Sequence, residues 1–440
     1  MNSEPKHKSD TRHLVYQVLC AVDEKNFPLD DALEDCFSKA EGLDLRDRAF
    51  VKNLATTIFR HLAFIDKHLS SFLKRPLQAR ALWVRHWLRI GAAQILFLDV
   101  PDHAAVNTSV DAVGNSKRSG AKVFRGLTNG VLRNVIRGKE RILADLEKNP
   151  DGILPRWIKG RWTDFYGEKT VSKICRVLKN QPPLDISLKD PENAGALATE
   201  SGAKEIFPGT LRFKPKGPIT TLPGFRDGAW WAQDLAASLP ARLLGDVKGK
   251  RALDLCAAPG GKTLFLAAAG AKVTAVDISK NRIKRIEENL NRVGLSAEVI
   301  NQDVRKFKTD ELFDLILLDP PCSATGTLRR HPDVPYHRGK ADIERLAGIQ
   351  LNLLDHAISL LNPGGTLIYC VCSLEKEEGE NLIEGLLNIT SNVKRIPIKA
   401  SEVGGNKDWI TKAGDLRTLP CHLGDKGGMD GFFAARLTRV

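Results

Sequence analysis

From about residue 236 onward, short apolar runs alternate with longer amphipathic stretches, and this rhythm restricts the fold more than any other feature of the chain. Residues 252–255, 273–276, 298–300, 313–318 and 366–371 read as strands. Residues 263–269, 282–292 and 343–361 read as helices. Strands separated by helices do not pair as hairpins. They form a mostly parallel sheet covered by helices on both faces, a doubly wound α/β layout. In such a sheet ligands bind beyond the carboxyl ends of the strands, so those ends are where chemistry is to be sought.

The first of these ends is a loop of small residues. Strand 252–255 runs into Cys256-Ala257-Ala258-Pro259-Gly260-Gly261-Lys262-Thr263 and then a helix. Small residues let the backbone approach a ligand closely, and a helix start offers unpaired N–H groups to an anion. The spacing is neither GxGxxG nor the G-x-x-x-x-G-K of a triphosphate loop. Asp277 closes the second strand, where an acid suits a ribose diol. Asp303 closes the third, where it can accept from an adenine amino group. With Asp319 after strand 313–318, three acids end successive strands and point to a nucleoside-bearing ligand. The rival is an NAD-type fold that transfers no methyl group.

Asp319-Pro320-Pro321-Cys322 follows the most apolar strand, and its prolines hold Asp319 and Cys322 at the ligand edge. The strand ending at Val371 delivers Cys372 to that same edge. Most cysteines are buried and inert, which is the expectation for Cys20, Cys36, Cys175 and Cys421. Eight cysteines in 440 residues, none spaced as CxxC, disfavour a disulfide framework and a zinc site, and no metal is expected. Cys370 shares a face with Cys372 but lies within the strand, so Cys372 is the better candidate. A thiol beside an acid suits methylation of cytosine carbon 5. A thiolate added to carbon 6 makes the ring an enamine that attacks an electrophilic methyl. An acid assists at N3, and a base then removes the carbon 5 proton.

Upstream, residues 11–140 carry apolar residues three and four apart and read as helices. In the stretch 121–137, apolar Val123, Leu127, Val131, Leu132 and Val135 alternate with Lys122, Arg125, Arg133 and Arg137, which suggests one buried side and one basic side. Residues 141–235 are richer in Pro, Gly and Trp, with β-like runs at 184–188 and 219–222, and read as a small α/β connecting module. The expected divisions are 1–140, 141–235 and 236–440. The net charge of +13 favours a polyanionic partner. Residues 1–50 hold 7 basic and 11 acidic residues, whereas 51–140 hold 15 basic and 5 acidic, so the surplus is localised as a binding face would be. No apolar run reaches the roughly 18 residues that span a bilayer, and the polar start lacks a signal peptide's apolar stretch. A cytoplasmic monomer is the default expectation.

These motifs resemble the RNA 5-cytosine methyltransferases of the NOL1/NOP2/Sun family. The residues that carry the likeness are C-A-A-P-G-G-K-T at 256–263, D-P-P-C-S-A-T-G at 319–326, R-R-H-P-D at 329–333, C-S at 372–373 and the closing G-D-K-G-G-M-D-G-F-F-A-A-R-L. Residues 89–107 and 127–133 resemble the NusB-like RNA-binding helical domain, and the pairing is similar to bacterial methyltransferases of small-subunit (16S) ribosomal RNA. The resemblance implies an all-α NusB-like N-terminal domain, the small α/β module and a Rossmann-like catalytic domain. It implies S-adenosylmethionine as cofactor, held by Cys256 to Lys262, Asp277, Asp303 and Asp319. It further implies Cys372 as the nucleophile, Cys322 as the group that assists release of the methylated base, and Asp319 and Lys262 in the catalytic set. The chain departs from the family pattern at Pro320, usually alanine, at Val371, usually threonine, at Thr108, usually glutamate, and in Glu377-Glu378-Gly379, usually E-E-N. Four rivals stay open: Cys322 as nucleophile, as in DNA 5-cytosine methyltransferases; amino-group methylation of adenine, suggested by D-P-P but disfavoured because Cys322 is not an aromatic that could stack the base; a transfer RNA substrate; and an RNA-binding assembly factor with vestigial catalysis.

Overall fold

The computed structural model describes residues 10–78, 81–118, 120–213 and 217–440, so most of the polar start lies outside it. The chain forms two compact units. The first comprises Met1–Asn180 with Leu328–Gly339, and the second comprises Gln181–Thr327 with Lys340–Val440.

The first unit is helical, as the apolar spacing predicts. Its central helix, Leu82–Phe97, is buried along nearly its whole length. Arg89 is buried within it and is held by both oxygens of Asp66, at 2.9 and 2.6 Å, and by Asp23 at 2.6 Å, which offsets the cost of burying its charge. Gly91 lets this helix meet helix Ala121–Arg137 closely, since a Cβ there would stand 2.6 Å from Leu132. Helix Ala121–Arg137 buries Val131, Leu132 and Val135 as expected, but Val123 is 76 % exposed and belongs to the solvent face. The R-R-H-P-D motif also belongs to this unit. The Asp333 carboxylate accepts from the Leu29 backbone N–H at 2.9 Å, and the Arg329 carbonyl accepts from Arg60 at 3.0 Å.

The second unit contains two sheets. Strands β1 (Leu184–Leu188), β2 (Lys204–Phe207), β3 (Thr210–Phe213) and β4 (Trp230–Ala232) form an antiparallel sheet in the order β2-β3-β1-β4. The run at 219–222 is not a strand. Residues Ile219–Thr221 form a 3-10 turn after Pro218, whose carbonyl accepts from the Thr221 hydroxyl at 2.8 Å, so local side-chain bonding wins over β propensity.

The larger sheet holds β5 (Arg251–Leu255), β6 (Lys272–Asp277), β7 (Glu298–Asn301), β8 (Phe313–Leu318), β9 (Leu361–Val371), β10 (Val393–Arg395), β11 (Leu416–Thr418) and β12 (Phe432–Arg439). Its order is β10-β12-β9-β8-β5-β6-β7, with β11 paired to β12. Strands β5 to β9 run parallel, and β12 returns antiparallel beside β9. Helices Gly261–Ala268, Lys280–Val293 and Lys340–Ser359 make the crossovers. Side chains alternate between two cores, as strand geometry requires. Leu253, Leu255, Ile316, Leu318 and Tyr369 enter one core, and Ala252, Leu315, Leu317, Ile368 and Cys370 the other. The parallel strands reverse direction of winding beside β5, so the carboxyl ends of β5, β6, β8 and β9 border one crevice. Among the described residues no helix is long and apolar enough to cross a membrane.

Candidate active site

A cleft of about 430 Å³ opens at those strand ends, lined by Cys256, Ala258, Asp277, Asp303, Asp319, Cys322 and Cys372 among others. The loop after β5 is its floor. Cys256 and Gly260 adopt left-handed backbone, at φ 58° and 99°. A Cβ on Gly260 would press on Ile286 at 3.2 Å, so glycine is required there for conformation and for space. Ala257, Pro259, Gly260, Gly261 and Lys262 build the turn behind the cleft and do not line it.

Asp277 ends β6 almost completely buried. Its Oδ2 accepts from the Ala258 N–H at 3.1 Å; its Oδ1 accepts from the Ser279 N–H at 2.8 Å and from Arg282 at 3.1 Å. Two lone pairs per oxygen leave one acceptor position on Oδ2. Beside it Ile278 is 62 % exposed, an apolar side chain offered to the cleft. Asp303 stands two residues past the end of β7 rather than on the strand. It caps the turn Val304–Lys306 and bonds the Arg305 guanidinium, which holds its carboxyl below the usual carboxylate range.

Asp319 follows β8, and its Oδ2 receives Lys262 Nζ at 2.6 Å. Burial works against the lysine's charge, but Asp319 more than compensates and keeps Lys262 protonated above its ordinary value. The ammonium also lies 5.3 Å from the centre of the Phe432 ring.

The sulfurs of Cys322 and Cys372 stand 3.4 Å apart. The contact with Cys372, together with burial, pushes the Cys322 thiol well above its usual range, so Cys322 keeps its proton beside the Cys372 sulfur. Cys370 lies entirely in the core, where burial likewise raises it, and Cys256 is pushed up by burial to about 12. The backbone beneath the thiols is close-packed. The Gly326 N–H donates to the Cys372 carbonyl at 3.0 Å and its carbonyl accepts from the Gly431 N–H at 2.8 Å, while a Cβ on Gly326 would collide with the Gly431 carbonyl.

Sequence reasoning passed over Ile278, Arg282, Arg305 and Glu378. Arg282 and Arg305 sit five and two residues from the acids they bind, a pattern shared with any solvated loop. Glu378 is completely buried although it lies in an E-K-E-E-G-E run that reads as surface. Its carboxyl group accepts from Ser323, Ser373 and Gln350.

Comparison with known proteins gives a consistent result. Residues 241–438 match the family described as 16S rRNA methyltransferase RsmB/F, and residues 9–137 match the NusB family. The chain is 34 % identical over 403 residues to Ribosomal RNA small subunit methyltransferase B of Klebsiella pneumoniae subsp. pneumoniae, covering 88 % of this chain and 92 % of that protein. It is 33 % identical over 448 residues to the protein of the same name from Escherichia coli strain K12, covering 99 % and 100 %. Among solved structures, a methyltransferase homologue protein from Pyrococcus horikoshii superimposes with a TM-score of 0.55 at 25 % identity, covering 68 % of this chain and 98 % of its own.

Proposed function

The chain belongs to the family of 16S rRNA methyltransferases RsmB/F, and from that premise we propose that it methylates carbon 5 of a cytosine in small-subunit ribosomal RNA through a transient bond between Cys372 and carbon 6. The observation that carries this reading is the 3.4 Å separation of the Cys322 and Cys372 sulfurs on a cleft that Asp319 also lines. S-adenosylmethionine is the cofactor and supplies an electrophilic methyl group. The cleft suits it: an acceptor position on Asp277 for a ribose hydroxyl, the exposed Ile278 for an adenine face, and the Asp303 carboxylate for an amino group. Of the turn Cys256 to Lys262, Cys256 and Ala258 border the cleft and would meet the cofactor, while Ala257, Pro259, Gly260, Gly261 and Lys262 hold them from behind.

The Cys372 sulfur adds to carbon 6, and this covalent step divides one difficult substitution into easier ones. As the sulfur adds, the Cys372 thiol gives its proton to the Asp319 carboxylate, and Asp319, fixed by Lys262, passes that proton to N3, which favours addition. After transfer, water in the open cleft takes the carbon 5 proton, and the electron pair left behind re-forms the ring double bond and expels the Cys372 sulfur as a thiolate. Cys322, 3.4 Å from that sulfur, meets it with an S–H hydrogen bond, which stabilises the leaving thiolate. The RNA partner also accounts for a basic helical unit.

Two single variants test the assignment. C322A should accumulate an RNA–protein adduct that survives denaturing electrophoresis, whereas C372A should form no adduct and transfer no methyl. An adduct in C372A would move the nucleophile to Cys322. Bisulfite sequencing of total RNA from cells with and without the gene should show one 5-methylcytosine lost from 16S rRNA. Loss confined to transfer RNA would replace the substrate.

A further inference from the structure

Glu378 lies six residues beyond Cys372, in the turn before helix Glu380–Ile389, with no exposed surface. Its Oε1 accepts from the Ser323 backbone N–H at 2.8 Å and from Gln350 Nε2 at 3.0 Å. Its Oε2 accepts from the hydroxyls of Ser323 and Ser373, which stand 3.0 Å from each other. Ser323 follows Cys322, and Ser373 follows Cys372. Gln350 adds a third tie by donating to the Pro321 carbonyl at 2.9 Å. The Tyr369 hydroxyl, bonded to Gln350 Oε1 at 3.1 Å and to the Glu378 carbonyl at 2.7 Å, closes the network from within β9. Burying a carboxyl group costs free energy that a hydrophobic residue of the same size would not incur. A network with every member satisfied has a compensating property: it fixes one arrangement of the groups it joins.

We propose that Glu378 is a positioning residue for the thiol pair, tying the Cys322 loop to the end of β9 and so setting the distance between the two sulfurs. The inference rests on the reading above, in which release of the methylated base depends on that distance. The other bonds between the loop and the strand end lie further along the loop: the Gly326 N–H donates to the Cys372 carbonyl, and Thr325 Oγ1 accepts from the Leu374 N–H at 3.0 Å and stands 3.4 Å from Ser373 Oγ. Without the carboxyl group, Ser323 and Ser373 lose their common acceptor, and the residues next to the two thiols are held only by each other and by the Thr325 and Gly326 bonds.

The test compares E378A with E378Q in the full-length protein. A misplacement near 1 Å costs about a hundredfold in rate, so E378A should lose about that much kcat while KM for RNA and cofactor stays within about threefold. E378Q keeps a carbonyl where Ser323 and Gln350 donate and turns an amide toward hydroxyls that can rotate to accept. Its kcat should return to within about tenfold of wild type. A second readout needs no RNA. A trivalent phenylarsenical bridges two neighbouring thiols, and its binding here should require both Cys322 and Cys372 and weaken at least about tenfold in E378A but not in E378Q. Weakened arsenical capture in E378A supports the clamp even if cytosine proves to be the wrong substrate. Unchanged kcat or unchanged arsenical capture in E378A overturns it, as does an equal loss in both variants. Should E378A fail to fold, the S323A/S373A double variant removes the two hydroxyl ties while the Ser323 N–H and Gln350 bonds stay, and it should lower kcat and arsenical capture in the same direction; no change in either overturns the proposal.

Discussion

Replacing Asp254 by asparagine should flatten the dependence of stability on pH. Asp254 is the penultimate residue of β5 and has no exposed surface. Its Oδ2 takes the Thr263 hydroxyl at 2.6 Å, while its Oδ1 has no hydrogen-bond partner. Burial pushes this carboxyl up to about 7, against the opposing pull of the Thr263 hydrogen bond and the Lys262 charge. In an unfolded chain the same group ionises near about 3.9. The native state therefore binds the proton more tightly. The stabilisation is fully present below the unfolded value and is lost as pH rises through the folded one. Between pH 5.5 and 8.5 this one group should remove roughly 2 kcal/mol of stability. D254N cannot titrate and keeps an acceptor for Thr263. Any constant effect of the new amide cancels when each protein is compared with itself. Denaturant unfolding of wild type and D254N at several pH values in that range should show the gap between them shift by about that amount in favour of D254N as pH rises. Parallel pH profiles would refute the account of Asp254 as a carboxyl group held neutral by burial.

D277N removes charge from a residue that is both a candidate cofactor acceptor and the anchor of the Ala258 N–H, so calorimetry should show cofactor affinity reduced by about tenfold or more. G326A forces a methyl group into the Gly431 carbonyl, and thermal unfolding should report a loss of roughly 2 kcal/mol or more, with methylation abolished. R417K surrenders the two-pronged grip on Glu380, at 3.0 and 2.6 Å, and the bond to the Ser373 carbonyl; a loss of about 1–2 kcal/mol in denaturant unfolding is expected. V123S, by contrast, should leave stability within about 0.5 kcal/mol, because the valine faces solvent.

What the sequence discloses depends on whether the physics is local. The parallel sheet was legible because buried strands such as 313–318 are apolar on both faces and are punctuated by helices. Asp277, Asp319, Cys322 and Cys372 could be placed on one edge because each stands at or just past the end of such a strand. Asp303 needed correction by two residues, since β7 stops at Asn301 and the aspartate caps the next turn. The run 219–222 failed as a strand because Pro218 and the Thr221 hydroxyl bond each other locally. Val123 failed as a core residue because its partner face is decided by which helices pack on Ala121–Arg137, which periodicity does not reveal. Glu378 was out of reach for a stronger reason. Nothing in an acidic run signals that one member will be enclosed by serines 55 and 5 residues away. Only the fold brings those groups together.

The account stands on Cys372 bonding to a pyrimidine ring. RNA carrying 5-fluorocytidine at the target position tests this directly, because fluorine at carbon 5 cannot leave as a proton does and the adduct cannot resolve. Mass spectrometry of the digested complex should place the methylated nucleotide on the peptide that contains Cys372. A nucleotide found on the Cys322 peptide, or no cross-link from an enzyme that methylates ordinary RNA, would contradict the mechanism.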